Sequence, residues 1–455
     1  MRKVLIANRG EIACRIIRSC RDAGLSTVAV YSEADQDALH VSLADEAYLI
    51  GPGPARESYL VAEHVIDAAM TSKADAVHPG YGFLSENAEF AEAVAARNLI
   101  WIGPEPSTIR KMGDKEQARE IARSAGVPVL PGSGRLVGGN LDGIERMADT
   151  IGFPLLVKAS AGGGGIGMKR VDHRDQLRPL AESTQKMAEK VFGDGAIYLE
   201  KYLPAARHVE IQIFGFGDGH AIHLYDRDCS LQRRFQKIVE EAPAPLLPET
   251  IRDEISEAAC RLAREQNYGG AGTVEFIVDT KTFDFYFLEM NTRIQVEHPV
   301  TEMVTKCDLV SMQLELARGT LAHIRQEDVL LTGHAIECRL YAENPDRNFM
   351  PSPGTLTALR LPEQKDGIRI DSGFRAGDEI SMFYDPMIAK IICHADTRSD
   401  AIAKMRRALD QTEVEGVKSN LAFLKRVLLH SGFSAGDVST GFVDQHLTDL
   451  IGQQD

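Results

Sequence analysis

Acidic, amide and basic residues that suit phosphate and metal chemistry gather in a few short stretches of this chain. The stretch Phe283-Asp284-Phe285-Tyr286-Phe287-Leu288-Glu289-Met290-Asn291-Thr292-Arg293-Ile294-Gln295-Val296-Glu297 alternates with a period of two. Read as one strand, it places Phe283, Phe285, Phe287, Glu289, Asn291, Arg293, Gln295 and Glu297 on a single face. An acid that continues a buried face needs a metal or a cation beside it. Glu275, flanked by apolar residues in Thr273-Val274-Glu275-Phe276-Ile277-Val278, has the same requirement. Glu275, Glu289 and Asn291 form an all-oxygen set suited to Mg²⁺, which shares its sphere with substrate phosphates and so points to a nucleoside triphosphate.

Phosphate chemistry is also written upstream. Lys158 ends an apolar strand just before Ala161-Gly162-Gly163-Gly164-Gly165-Ile166-Gly167, a run whose N–H groups can wrap phosphate oxygens. No Gly-Lys-Ser/Thr follows, so this is not a Walker A loop. Nor is Asn8-Arg9-Gly10-Glu11 a dinucleotide fingerprint, having one glycine. Lys115 is a second phosphate cation. Glu200-Lys201-Tyr202-Leu203 closes a strand whose backbone can meet an adenine edge, and His208 alone reads as a structural histidine. Gln232-Arg233-Arg234-Phe235-Gln236-Lys237 is a basic stretch, and Arg339 shares a strand face with Glu337.

Strand–helix alternation from Val4–Ala7 through Thr27–Tyr31, Ala76–His78 and Leu99–Ile102 predicts a doubly wound parallel α/β domain over 1–113. Ile12, Ile16, Ile17 and Cys20 keep helical spacing, and Gly24 stands where a C-cap glycine belongs. A second domain over 114–332 starts with a helix from Lys115 to Ser124. Within it, a mobile glycine-rich lid over about 131–203 contains a loop at Gly138-Gly139, a helix near Leu141–Ile151 and the strand Leu155–Lys158. Antiparallel strands follow at Glu210–Gly215, His220–Tyr225, Gly272–Val278 and Phe283–Asn291. A strand-rich domain over 333–455 closes with helices near Asp400–Glu413 and Ser419–His430, giving a mixed α/β and α+β chain.

The 455 residues carry 51 Lys+Arg against 66 Asp+Glu, a formal net charge of −15. That balance argues against nucleic acid or an anionic membrane as the main partner. No apolar run approaches the roughly 20 residues that span a bilayer, and the short apolar start ends in charges, unlike a signal peptide. Seven scattered cysteines without a Cys-x-x-Cys pair read as reduced thiols of a cytoplasmic protein.

Taken together, the residues resemble the biotin carboxylase family of the ATP-grasp superfamily along essentially the whole chain. The matching segments are Ile6–Ala13, His78-Pro79-Gly80-Tyr81-Gly82-Phe83-Leu84-Ser85-Glu86-Asn87, Arg227–Ser230, Glu240–Pro245 and Glu289–Glu302, the last being highly specific. The resemblance implies attack of bicarbonate on the γ-phosphate of ATP, giving carboxyphosphate, followed by carboxylation of the N1' atom of biotin. It implies that Lys115, Lys158, Gly164, Gly165, Met168, Glu200, Lys201, Leu203 and His208 hold ATP, together with Glu275 and Glu289. Glu275, Glu289 and Asn291 would hold Mg²⁺, with Mn²⁺ as an alternative. Lys237, Arg293, Gln295 and Val296 would bind bicarbonate, and Glu297, beside Arg293, would be the base. Arg339 would stabilise the biotin enolate, with Tyr81, Gly82 and Gln232 near biotin.

Two residues depart from the family's pattern. Phe235 stands where many relatives carry histidine, and Ile166 where they often have Arg or Lys. The family's Met-Lys-Met biotinylation turn does not occur, so biotin is expected on a separate biotin carboxyl carrier protein, with a separate carboxyltransferase subunit. A homodimer is implied, with Arg15, Arg18, Asp22 and Arg369 as candidate contacts. The rival readings are another ATP-grasp carboxylate ligase and a nucleotide-binding regulatory paralogue without turnover.

Overall fold

The computed structural model describes residues 1–137, 139–160, 167–234 and 236–451. Gly138, Gly164, Gly165, Ile166 and Phe235, singled out above, lie outside them.

Near the N-terminus, Val4, Leu5 and Ile6 are apolar on both faces and fully buried, as a central parallel strand requires. They form β1 (Lys3–Ile6), in the middle of a parallel sheet with β2 (Ser26–Tyr31), β3 (Glu46–Leu49), β4 (Ala76–His78) and β5 (Ile100–Trp101), in the order β3-β2-β1-β4-β5. The helix Gly10–Asp22 buries Ile12, Ile16, Ile17 and Cys20. It ends in a Schellman turn: Leu25 N–H bonds Cys20 O at 2.8 Å, and Gly24 takes φ +68°, a conformation glycine adopts without a Cβ clash.

A small antiparallel sheet follows, built from β6 (Leu155–Ala159), β7 (Met168–Val171) and β8 (Ile197–Lys201) with β6 in the middle. The helices Ile144–Ile151 and Arg174–Phe192 cover its apolar face. The first begins three residues later than the expected Leu141, because Gly143, at φ +74°, serves as its N-cap.

An eight-stranded antiparallel sheet holds the rest. β9 (Ala206–Phe216), β10 (Ala221–Arg233), β11 (Gln236–Ala242), β12 (Gly269–Asp279), β13 (Phe285–Asn291) and β14 (His334–Tyr341) join the strands Met387–Ala395 and Ile368–Ser372. The order is β13-β12-β9-β10-β11-β14, then Met387–Ala395, then Ile368–Ser372. One sheet therefore runs across the expected division at 332/333. Along β9, Val209, Ile211 and Ile213 pack on Ile255, Ala258, Ala259 and Leu262 of the helix Glu249–Glu265. The alternate residues His208, Glu210 and Gln212 are also buried, on the opposite face.

Two expectations change. The alternation expected over Phe283–Glu297 holds only in part. Phe283 sits in a turn at φ +61°, and Leu288 is an extra residue, since Glu275 pairs with Glu289 but Phe276 pairs with Phe287. β13 ends at Asn291, so Arg293, Gln295 and Glu297 lie in the turn that follows and not on its face. The first closing helix stops at Asp410, and Glu413 lies in a short strand, Glu413–Glu415. Arg15 and Arg369 both pair with Glu302, at 3.2 and 2.5 Å; Arg15 is buried within the chain, whereas Arg369 is half-buried.

Candidate active site

A cleft of about 610 Å³ opens between the small sheet and the large one. Every site residue expected above that the structure describes lines it. Leu130, Leu156, Met168, Leu203, Ile277 and Leu288 make an apolar slot, and Tyr198 and Tyr202 stand beside it.

Lys237 joins the charged cluster of the cleft. Ile238 is an extra residue in β11, between the pairs Gln232–Lys237 and Leu231–Val239. The bulge swings Lys237 onto the site face, a common use of bulges beside active sites. Its Nζ lies 2.7 Å from Glu297 and 3.1 Å from Glu275 and also meets Glu210. Burial alone would lower the Lys237 ammonium, but Glu275 and Glu297 raise it above its ordinary value.

Glu297, fully buried, is the N-cap residue of the helix His298–Thr305. Its other oxygen accepts from Arg339 at 3.0 Å. Burial would push this carboxyl up, yet Lys237, Arg339 and Arg227 hold it well below the usual carboxylate range. Glu297 is thus ionised, with Lys237 and Arg339 as its partners in place of the expected Arg293. Arg293 bonds Glu86 at 2.8 Å, Gln295 at 2.9 Å and Asn291 at 3.0 Å. Arg339 likewise does not pair with Glu337: its Nη2 lies 2.6 Å from Glu240.

The three oxygen-bearing residues expected around a metal are together. Glu275 and Glu289 sit directly opposite across β12 and β13, and Asn291 donates to Glu275 at 2.8 Å. Two carboxylates facing each other repel unless a cation joins them. Burial and then the charge of Glu275 raise the Glu289 carboxyl, although its side chain is open to the cleft. This donor set fits Mg²⁺. A different acidic group, Glu210, Glu275 and Glu297, already surrounds the Lys237 ammonium.

His208 is a link between neighbours. Gln232 Nε2 lies 2.7 Å from its Nδ1 and donates there, so Nε2 carries the proton given to Glu275 at 2.8 Å. Gln295 donates to the same carboxylate at 3.0 Å. On the small sheet Lys158 bonds Glu200 at 2.6 Å, and Arg119 approaches the second oxygen of Glu200 at 2.5 Å. Lys201 lines the cleft, but its ammonium bonds the carbonyls of Gly152 and Phe153 at 3.1 and 3.2 Å. Lys115 also lines the cleft.

The loop carrying Tyr81 and Gly82 is held by Asn8, which donates to Pro79 O and Tyr81 O at 2.7 Å each. Gly80, at φ +64°, lies close enough that a Cβ there would come 3.0 Å from Asn8 Nδ2. The Tyr81 hydroxyl bonds Glu11, and Glu11 lies 3.1 Å from Lys390, whose Nζ donates to Val296 O at 2.7 Å.

Several of these partners escaped sequence reasoning. Glu210 had a signal, since it alternates with Val209 and Ile211 as Glu275 does with its neighbours. Lys390 and Glu86 had none, because each acts through elements distant in the chain.

A nucleotide-sized cleft between a small sheet and a large antiparallel one, with paired carboxylates and fixed lysines, defines an ATP-grasp ligase. Three family models match in series: the biotin carboxylase N-terminal domain over 1–109, the carbamoyl-phosphate synthase L chain ATP-binding domain over 114–324, and the biotin carboxylase C-terminal domain over 337–445. The chain is 51% identical over 445 residues to biotin carboxylase 2 of Bacillus subtilis, covering 98% of this chain and 99% of that one. It is 50% identical over 452 residues to the mitochondrial methylcrotonoyl-CoA carboxylase subunit alpha of Rattus norvegicus, covering 99% of this chain but 62% of that one. Among solved structures it matches the biotin carboxylase domain of 2-oxoglutarate carboxylase from Hydrogenobacter thermophilus, a dimer with MgADP, ADP and bicarbonate. That match has a TM-score of 0.93 and 43% identity, and covers 100% and 99% of the two chains. The chain belongs to the biotin carboxylase family.

Proposed function

We propose that this protein carboxylates biotin, using bicarbonate and Mg-ATP, and that the expected site residues perform it. The observation that carries the proposal is the Lys237–Glu297–Arg339 cluster in one cleft with Glu275, Glu289 and Asn291. Phosphoryl transfer asks mainly for positioning and charge neutralisation, and Lys115 and Lys158 supply fixed cations for the phosphates. Mg²⁺, held by Glu275, Glu289 and Asn291, would neutralise phosphate charge when bound. The slot of Leu156, Met168, Leu203 and Ile277 offers an apolar bed for a purine, with the Glu200–Leu203 backbone at its edge.

Bicarbonate is placed by Arg293, Gln295, the Val296 backbone and Lys237. Glu297, ionised and hydrogen-bonded to Lys237, accepts the bicarbonate proton. Arg339 presents a cation where negative charge develops on biotin, a fixed charge that needs no reorganisation. Tyr81, Gly82 and Gln232, which also line the cleft, would stand near biotin.

We further propose the divisions 1–113, 114–332 and 333–455, with a lid over about 131–203. Biotin would come on a carrier protein and leave to a carboxyltransferase subunit, and the chain would work as a homodimer. Seven free cysteines, six of them buried, support the cytoplasm as its location. Among the described residues no helix is long and apolar enough to cross a membrane.

The test is incorporation of labelled bicarbonate into biotin. The reading expects acid-labile carboxybiotin that depends on both ATP and Mg²⁺. ATP turnover that joins another carboxylate to an amine, with no label in free or carrier-bound biotin, would overturn it.

A further inference from the structure

We propose that Glu240 and Glu337 form a one-proton carboxyl pair beneath the active site, in which Glu240 is a positioning residue for Arg339. The proposal rests on the biotin reading of Arg339 and extends it to two residues given no role above.

Glu240 in β11 and Glu337 in β14 are directly opposed in the antiparallel register. Opposed side chains share a face, with Cβ atoms roughly 5 Å apart, and the charge of Glu240 acts on Glu337. Both residues are 0% exposed. Among the described residues, all four carboxyl oxygens lack a hydrogen-bond donor. Arg339 Nη2 is 2.6 Å from Glu240 Oε1, an ion-pair distance without hydrogen-bond alignment.

Two buried carboxylates at this spacing do not both ionise. A single shared proton gives the pair one donor of its own: the O–H of Glu337 donates to an oxygen of Glu240, and the remaining charge stays on Glu240 to face Arg339. The surrounding charges favour this division. Arg339 and Lys237 face Glu240, Lys390 on the neighbouring strand and, more weakly, Arg339 act on Glu337, and Glu297 at the helix N-terminus repels both. Arg227 and His298 lie further out, on Glu297 and Lys390. Burial pushes the Glu240 carboxyl up to about 7 against the pull of Arg339, and burial raises Glu337 well above its ordinary range.

The arrangement has a consequence for turnover. Arg339 has two counter-ions, Glu297 and Glu240. When Glu297 takes up a proton its hold on the guanidinium weakens, and Glu240 keeps Arg339 aimed into the cleft. No proton leaves the pair in this role.

The test combines infrared difference spectroscopy with kinetics on the full chain. The native protein at neutral pH should show the carbonyl stretch of a buried protonated carboxyl, shifted in D₂O, and Glu337→Gln should remove it. Glu240→Gln should lower kcat for biotin-stimulated turnover roughly tenfold, as a misaimed group does, and move the acid limb of its pH profile. Its KM for Mg-ATP should stay within about twofold, and Glu240→Asp should recover part of the loss. Absence of the band in the native protein overturns the proposal even if a variant fails to fold. An unmoved kcat and pH profile in Glu240→Gln overturns it too. Native protein without any biotin-stimulated turnover would instead remove the biotin reading, while the infrared result stands on its own.

Discussion

On the large sheet Lys237 is enclosed by three carboxylates, Glu210, Glu275 and Glu297, whereas on the small sheet Lys158 has one, Glu200. Glu210 and Glu297 are fully buried, and their strand and helix N-terminus pack within a sheet of eight strands. Lys158 lies on a sheet of three, with its side chain 20% exposed. In the proposed reaction the difference separates two tasks. Where a proton must be taken and an anion met, the charges are paired in advance and locked by bulges and packing. Where a nucleotide must enter and leave, Lys158 and Arg119 share one acid, Glu200, that phosphate can replace.

The largest break should come from Glu297→Gln. Removing the base should lower biotin carboxylation about 10³-fold while Mg-ATP affinity, measured by titration, changes little. Unchanged turnover would take the base role away from Glu297. Next, Glu210→Gln removes a buried partner of both Lys237 and Arg227. Breaking such a pair should destabilise the fold by about 3–5 kcal/mol in urea unfolding. A loss below about 1 kcal/mol would show that the sheet cluster is no more locked than the small sheet.

Lys158→Ala should act on the other region alone. We expect KM for ATP to rise about tenfold, in line with one lost charge-assisted contact of about 1.5 kcal/mol or more, with biotin-stimulated kcat at saturating ATP largely kept. An equal fall in kcat would merge the two regions into one.

The smallest effect is on stability against pH, and its signs oppose. Glu297 and Asp371 are held below the ordinary carboxylate value, by Lys237 and Arg339 and by Arg369 and Lys390 against the effect of burial. Their contribution is present above about pH 4 and is lost as pH falls through the depressed values. Glu240 is raised, so its contribution is full below about pH 4 and is lost as pH rises through about 7. Unfolding free energy of the native protein should therefore decline from about pH 5 to 8 more than that of Glu240→Gln. Parallel profiles would contradict the assignment.

Much of the site was legible because strand alternation is local. Glu275 and Glu289 stood out as acids among apolar strand residues, and the register puts them face to face. The partners of Glu297 were not legible. They depend on a bulge at Ile238 and on a turn after Asn291, and neither has a glycine or proline to announce it. Arg339 looked as if paired with Glu337, two residues away on its own strand, but the neighbouring strand brings Glu240 closer. Four of the five parallel strands were read to within a residue, since β1 and the helix Gly10–Asp22 carry their own apolar periods and a glycine stop, but the edge strand β3 (Glu46–Leu49), short, mixed in polarity and only part-buried, gave no such signal. The continuity of the large sheet past 332 was not, because it rests on pairing between β11 and β14, about a hundred residues apart.

The most direct test of the division between the two regions is ADP release at saturating Mg-ATP and bicarbonate, with and without biotin, in native protein and Glu297→Gln side by side. The account predicts strong, bicarbonate-dependent stimulation by biotin in the native protein and its loss in the variant, with nucleotide binding retained. Equal stimulation in both, or none in the native protein with either free biotin or a biotinylated carrier, would contradict it.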